Sequence, residues 1–132
     1  MMARRLRSWM LLLPVGAVLV ACGGQPSAME VCKKLESVGV ASNCRQGKKV
    51  GPAAVAKERA EFDVPAVAGR PGEVLTFAEE REYLITVSTY NRLGTYNGLH
   101  RYGSKDRLVF TAFNEYASPE LAEKAKKVIE EL

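Results

Sequence analysis

Leu108-Val109-Phe110-Thr111-Ala112-Phe113 is apolar on both of its alternating sets. A strand with one buried face alternates apolar and polar residues, so this one reads as a central strand, covered on both sides. A little further on, Ser118-Pro119-Glu120 has the order of a helix start: a hydroxyl cap, proline in the first position and acid in the first turn. Leu121, Ala125, Val128, Ile129 and Leu132 follow as one apolar stripe, with lysines and glutamates opposite. This amphipathic pattern favours packing on the domain's own sheet over lying on a membrane.

Upstream, Ala60, Phe62 and Val64 alternate with Glu61 and Asp63, a half-buried strand closed by Pro65. Ala66 to Gly72 carries Gly69, Pro71 and Gly72 and reads as a turn region; Glu73 to Phe77 reads as a second strand, antiparallel to the first. Thr76-x-x-Glu79 has the form of a capping box, which would open a helix from Phe77 or Ala78 to about Leu93. Residues 83–90 (Tyr-Leu-Ile-Thr-Val-Ser-Thr-Tyr) are rich in strand formers, so strand is the alternative for 79–93. Gly94 to Asp106, with three glycines and Asn97-Gly98, reads as a polar, aromatic loop.

Nearer the N-terminus, Ser27 is a candidate cap for a helix running to Val38. Val31, Leu35 and Val38 share a face, and Gly39 is the stop. Arg45 to Pro52 looks irregular. The element order is helix, strand, strand, helix, strand, helix. It predicts an α+β fold: a small, largely antiparallel three-stranded sheet packed with about three helices.

Residues 1–22 carry a different message. Arg4, Arg5 and Arg7 precede an apolar run from Trp9 to Val20, broken by Pro14 and Gly16. The run is short of the ~20 apolar residues that span a bilayer and suits a signal peptide. Its end, Leu19-Val20-Ala21-Cys22, resembles the lipobox of bacterial prolipoproteins at all four positions. The resemblance covers only these 22 residues. It implies cleavage before Cys22, a diacylglycerol on the Cys22 thiol and, in many lipoproteins, a further N-acyl chain on the new amine. Two or three chains hold a protein stably on a membrane. Gly23 is not the aspartate associated with inner-membrane retention, so the resemblance points to the outer membrane of a Gram-negative cell, facing the periplasm or the cell surface. The expected organisation is a cleaved signal at 1–21, a lipidated tether at 22–28 and one domain at 29–132.

Removing the signal changes the composition. Three of the 19 basic residues lie in it and none of the 15 acidic ones does, so the mature chain is close to neutral. The whole-chain charge of +4 therefore gives no support to nucleic-acid binding. With Cys22 lipidated, Cys32 and Cys44 remain, in a compartment where disulfides persist. A bridge between them would close a loop of about a dozen residues and contribute roughly 3 kcal/mol. The alternatives are free thiols or a metal site. Zinc needs more ligands, and His100 is the only histidine on offer.

For chemistry, the 94–106 segment stands out. Tyr96, His100, Arg101 and Tyr102 together could bind an anion or stack a ring, although tyrosines at element ends also serve as core rims. Ser104 and Asp106 are near in sequence, but nothing fixes a catalytic geometry. Glu79, Glu80 and Glu82 are explained by a first helical turn, and no nucleotide, metalloprotease or hydrolase signature occurs. No catalytic residue, metal or cofactor is assigned beyond the lipid on Cys22. These features point to a non-enzymatic, lipid-anchored envelope domain that binds an envelope protein or glycan through the 94–106 segment. The alternatives are a small envelope hydrolase or ligand-binding enzyme using the same segment, and a structural lipoprotein that spaces the envelope.

Overall fold

Five strands pair into one sheet: β1 (Ser42–Gln46), β2 (Glu58–Val64), β3 (Val67–Thr76), β4 (His100–Ser104) and β5 (Val109–Phe113). Their order is β1-β2-β3-β5-β4, and every neighbouring pair is antiparallel. Three helices cover the sheet: α1 (Ala28–Ser37), α2 (Glu80–Asn97) and α3 (Pro119–Glu130). Among the described residues, a 3-10 turn spans Gly51–Ala53. The structure is a computed structural model that describes residues 24–97, 99–114 and 116–132. The expected signal peptide at 1–21, Cys22 and Gly23 lie outside the described residues, as do the side chains of residues 94–98.

The α+β class is the expected one, but the sheet has five strands rather than three. β5 is interior, as its double alternation implies. Val109 and Phe113 join a cluster with α1 and α3, while Phe110 and Ala112 join a second cluster with α2. The sheet is thus a middle layer between α1 and α3 on one face and α2 on the other. The two added strands are both edges. β1 takes part of the segment read as irregular, and β4 takes part of the segment read as a loop. An edge strand is held by backbone bonds to one neighbour, so it needs no apolar alternation to form, and neither Ser-Asn-Cys-Arg-Gln nor His-Arg-Tyr-Gly-Ser shows any.

β3 also starts earlier than the sequence suggests. Val64 pairs with Val67, so the turn is Pro65-Ala66, with Ala66 at a φ of 68°. Gly72, read as turn punctuation, is buried inside the strand. A Cβ there would stand 2.9 Å from Cβ of Phe113 and run into the Phe62 ring, so glycine is needed for close packing rather than for a turn.

Residues 80–97 are helical despite their strand formers. Tyr83, Thr86 and Tyr90 recur at helical spacing and are buried. Tyr83 packs edge-on against Phe77, and Tyr90 packs edge-on against Phe110. Packing on the sheet thus overrides local propensity. The proposed capping box does not form. Thr76 stays in β3, and its hydroxyl donates to Glu58 Oε1 at 3.0 Å, so the helix begins at Glu80.

The other two helices follow their local signals. Ser27 accepts from Glu30 N, and the Glu30 side chain accepts from Ser27 N, a complete capping box. Ser118 caps α3 by accepting from Leu121 N, with Pro119 in the first turn. Ala122, Ala125 and Ile129 are buried in the cluster shared with α1, so the α3 stripe packs on the domain itself.

Candidate functional site

Cys32, in α1, is bonded to Cys44, in β1, with Cα atoms 6.1 Å apart. The bridge ties the first helix to an edge strand that otherwise pairs only with β2.

The residues of the 94–106 segment do not form one surface. Tyr96 falls near the end of α2, with its side chain outside the described set. His100, Arg101 and Tyr102 are consecutive on β4, so the pleat sends them alternately to opposite faces. His100 and Tyr102 lie on the α1–α3 face. The His100 ring centroid is 5.2 Å from that of Phe113 and 6.5 Å from that of Tyr102. Burial, with the nearby charge of Glu123, raises the Tyr102 hydroxyl above its ordinary pKa. Arg101 pairs across the strands with Ala112 on the α2 face. His100 Nε2 and Arg101 Nη1 are buried without a hydrogen-bond partner among the described residues. The loop reading is therefore corrected. A backbone that pairs with β5 from His100 to Ser104 fixes these side chains on two sides of a sheet.

A constellation that the sequence does not disclose lies on the α2 face. Arg59 Nε donates to Glu73 Oε1 at 2.7 Å, and Arg59 Nη1 donates to Glu61 Oε2 at 2.6 Å. Glu61 also meets Arg45 Nε at 3.4 Å, and Arg45 Nη1 meets Asp63 Oδ1 at 3.0 Å. From above, the Tyr90 hydroxyl of α2 donates to Glu73 Oε2. Burial disfavours the charge on Arg59, but the two carboxylates outweigh it and hold the guanidinium more firmly protonated than usual. Burial, then the adjacent Glu73 charge, pushes the Tyr90 hydroxyl well above its ordinary range. The Asn43 amide, then Arg45, hold Asp63 below the usual carboxylate range. Both Glu73 oxygens are engaged, so this network clamps α2 to the sheet.

The third constellation lies where the described chain starts. Gln25 Nε2 donates to Phe77 O at 2.8 Å and to Leu108 O at 3.2 Å. Arg107 Nη2 donates to Gly24 O at 3.1 Å, and Lys57 Nζ donates to Gln25 Oε1 at 3.3 Å. Glu58 Oε1 accepts from Ala28 N at 3.0 Å, holding the start of α1 against β2. Gly24 and Gln25 are thus held by residues that flank β3 and β5, and Ala28 is the buried first residue of α1. A groove of about 380 Å³ opens beside them, lined by Ser27, Met29, Gly47, Lys49, Lys57 and Arg59.

Among the described residues, no group of three or more His, Cys, Asp or Glu side chains is placed to hold a metal ion, and no helix is long and apolar enough to cross a membrane. No family model matches the chain, and it matches no curated protein and no solved structure.

Proposed function

We propose that the chain is a lipid-anchored cell-envelope protein whose domain binds another envelope component, a protein or a glycan. The observation that carries this reading is Leu19-Val20-Ala21-Cys22, preceded by a basic start and a short apolar run. The Cys32–Cys44 disulfide supports it, because such bonds persist in oxidising compartments. For the contact surface, the edge position of β4 is the support. The strand pairs on one side only, and an unpaired strand edge is a template for another chain.

Intact mass of the protein extracted from membranes tests the anchor. The expected mass lacks residues 1–21, carries acyl chains, and gains two alkyl groups at Cys32 and Cys44 only after reduction. An unprocessed or unacylated mass overturns the reading. Crosslinking in the envelope tests the surface. Replacing Tyr96, His100, Arg101 and Tyr102 together with alanine should abolish partner capture, and Arg101→Ala alone should weaken it with the fold intact by circular dichroism. Unchanged capture by both variants would remove these four side chains from the contact and leave the anchor standing.

A further inference from the structure

We infer that the segment from Lys48 to Lys57 is a membrane-seated loop, which lays its apolar residues on the same anionic phospholipid surface that holds the Cys22 lipid. The inference rests on the lipid-anchor reading.

The first argument is reach. Arg107 holds the Gly24 carbonyl, and the Gln25 side chain is held by Phe77 O, Leu108 O and Lys57 Nζ. Only Gly23 separates Cys22 from this fixed point. Covalent geometry keeps the Cα of Cys22 within about 7 Å of that of Gly24. A lipidated Cys22 therefore brings the end of the sheet that carries Gly24 onto the headgroups. The domain cannot stand off from the bilayer.

The second argument is what lies beside Gly24. Lys57 touches Gln25, and Lys49 Nζ donates to the Lys57 carbonyl at 3.1 Å. Between them runs Val50-Gly51-Pro52-Ala53-Ala54-Val55-Ala56. Ala53 and Ala56 are buried in the cluster under α2 and fix this excursion to the domain. That leaves Val50 65% exposed and Val55 44% exposed, with Pro52 and Ala54 also exposed. These exposed apolar residues follow one another along a turn fixed to the domain, and a lipid surface at the Gly24 end would cover them. Lys48, Lys49 and Lys57 bracket the apolar tip, and no acidic residue lies between Gln46 and Lys57. Apolar residues rimmed by lysines suit the boundary between acyl chains and anionic headgroups.

The processed chain offers a clean probe, since its only tryptophan, Trp9, leaves with the signal peptide. Val50→Trp, Val55→Trp and Tyr116→Trp are made in the full chain, extracted from membranes and reconstituted in phosphatidylethanolamine–phosphatidylglycerol vesicles. Tyr116 is the control: it is 68% exposed and follows the end of β5 opposite the one that Gln25 binds. The expected result is blue-shifted emission and at least twofold quenching by brominated acyl chains at positions 50 and 55, with neither at 116. Replacing Lys48, Lys49 and Lys57 with glutamine in the Val50→Trp chain should then reduce the quenching. Emission at 50 and 55 as red and as unquenched as at 116, on protein whose mass shows acylated Cys22, overturns the inference and leaves the anchor reading intact. A mass without acyl chains overturns both.

Discussion

Beneath α1 and α3 the sheet presents Ala60, Phe62, Val64, Val74, Val109 and Phe113. Beneath α2 it presents Leu75, Phe110 and Ala112 beside the charged row of Arg45, Arg59, Glu61 and Glu73. One face is held by volume: Phe62 and Phe113 lie 6.4 Å apart, and Gly72 is bare so that they fit. On the other, α2 is fastened by a hydroxyl, a carboxylate and a guanidinium as well as by aromatic contacts. Volume is unforgiving, because a core relaxes only partly into a cavity. A charge network depends on every partner being present. The two faces should therefore fail in different ways.

The largest effect is expected on the first face. Phe62→Ala removes a fully buried ring at the centre of that cluster and should cost about 3–5 kcal/mol in urea unfolding. A loss no greater than that from replacing Glu73 would collapse the distinction between the faces. Removing the bridge with Cys32→Ala and Cys44→Ala should cost about 3 kcal/mol by the chain-entropy argument. It should do so without altering the α2 face, so the near-ultraviolet signal of Tyr83 and Tyr90 should persist in the folded state. Its loss would mean that the faces are coupled through β1.

The difference between the faces is also a difference in what could be read from residues alone. β5, α1 and α3 are written in local signals: a double alternation, two serine caps, a proline after one of them, and stripes at helical spacing. Cys32 and Cys44 are legible because the chain has only three cysteines to choose from. The strands β1 and β4 were hidden because an edge needs only backbone partners, and turn-forming residues around β4 favoured a loop. Thr76 misled for a related reason. Its hydroxyl could have capped a helix, but Glu58, eighteen residues earlier, takes it. The charged row is invisible for the same cause. Arg59 and Glu73 are brought together by the β2–β3 register, and Tyr90 reaches Glu73 only because α2 crosses above. The fixing of Gln25 depends on carbonyls 52 and 83 positions away, which no local pattern encodes.

On the α2 face, Glu73→Gln should cost about 2 kcal/mol, less than the 3–5 kcal/mol of a fully buried pair, because Glu61 still holds one side of Arg59. The sharper comparison is with Arg59→Met, Glu73→Leu and Tyr90→Phe together, which removes both charges and the hydroxyl that Glu73 accepts from. If the network works as a set of mutually dependent partners, this triple variant should be more stable than Glu73→Gln alone. If it is less stable, the ion pair contributes net stability, and the α2 face is less dependent on intact pairing than argued above.

The smallest effect at neutral pH is the most specific. Tyr90→Phe keeps the ring against Phe110 and removes the bond to Glu73, at a cost of about 1–2 kcal/mol. The sign then changes with pH. In the unfolded chain a tyrosine ionises near pH 10, whereas burial and the Glu73 charge keep Tyr90 protonated well above that. Its stabilising contribution is complete below about pH 10. Above it, the unfolded state releases a proton that the native state retains, so stability falls by about 1.4 kcal/mol per pH unit for this group. Tyr83 and Tyr102, also raised by burial, add their own losses in both proteins. The wild-type and Tyr90→Phe stabilities, measured by urea unfolding from pH 7 to 11.5, should therefore run parallel to about pH 10 and then converge. Curves that stay parallel to the end would place the Tyr90 hydroxyl in water. The clamp between α2 and the sheet would then reduce to the Arg59 pairs and the aromatic contacts.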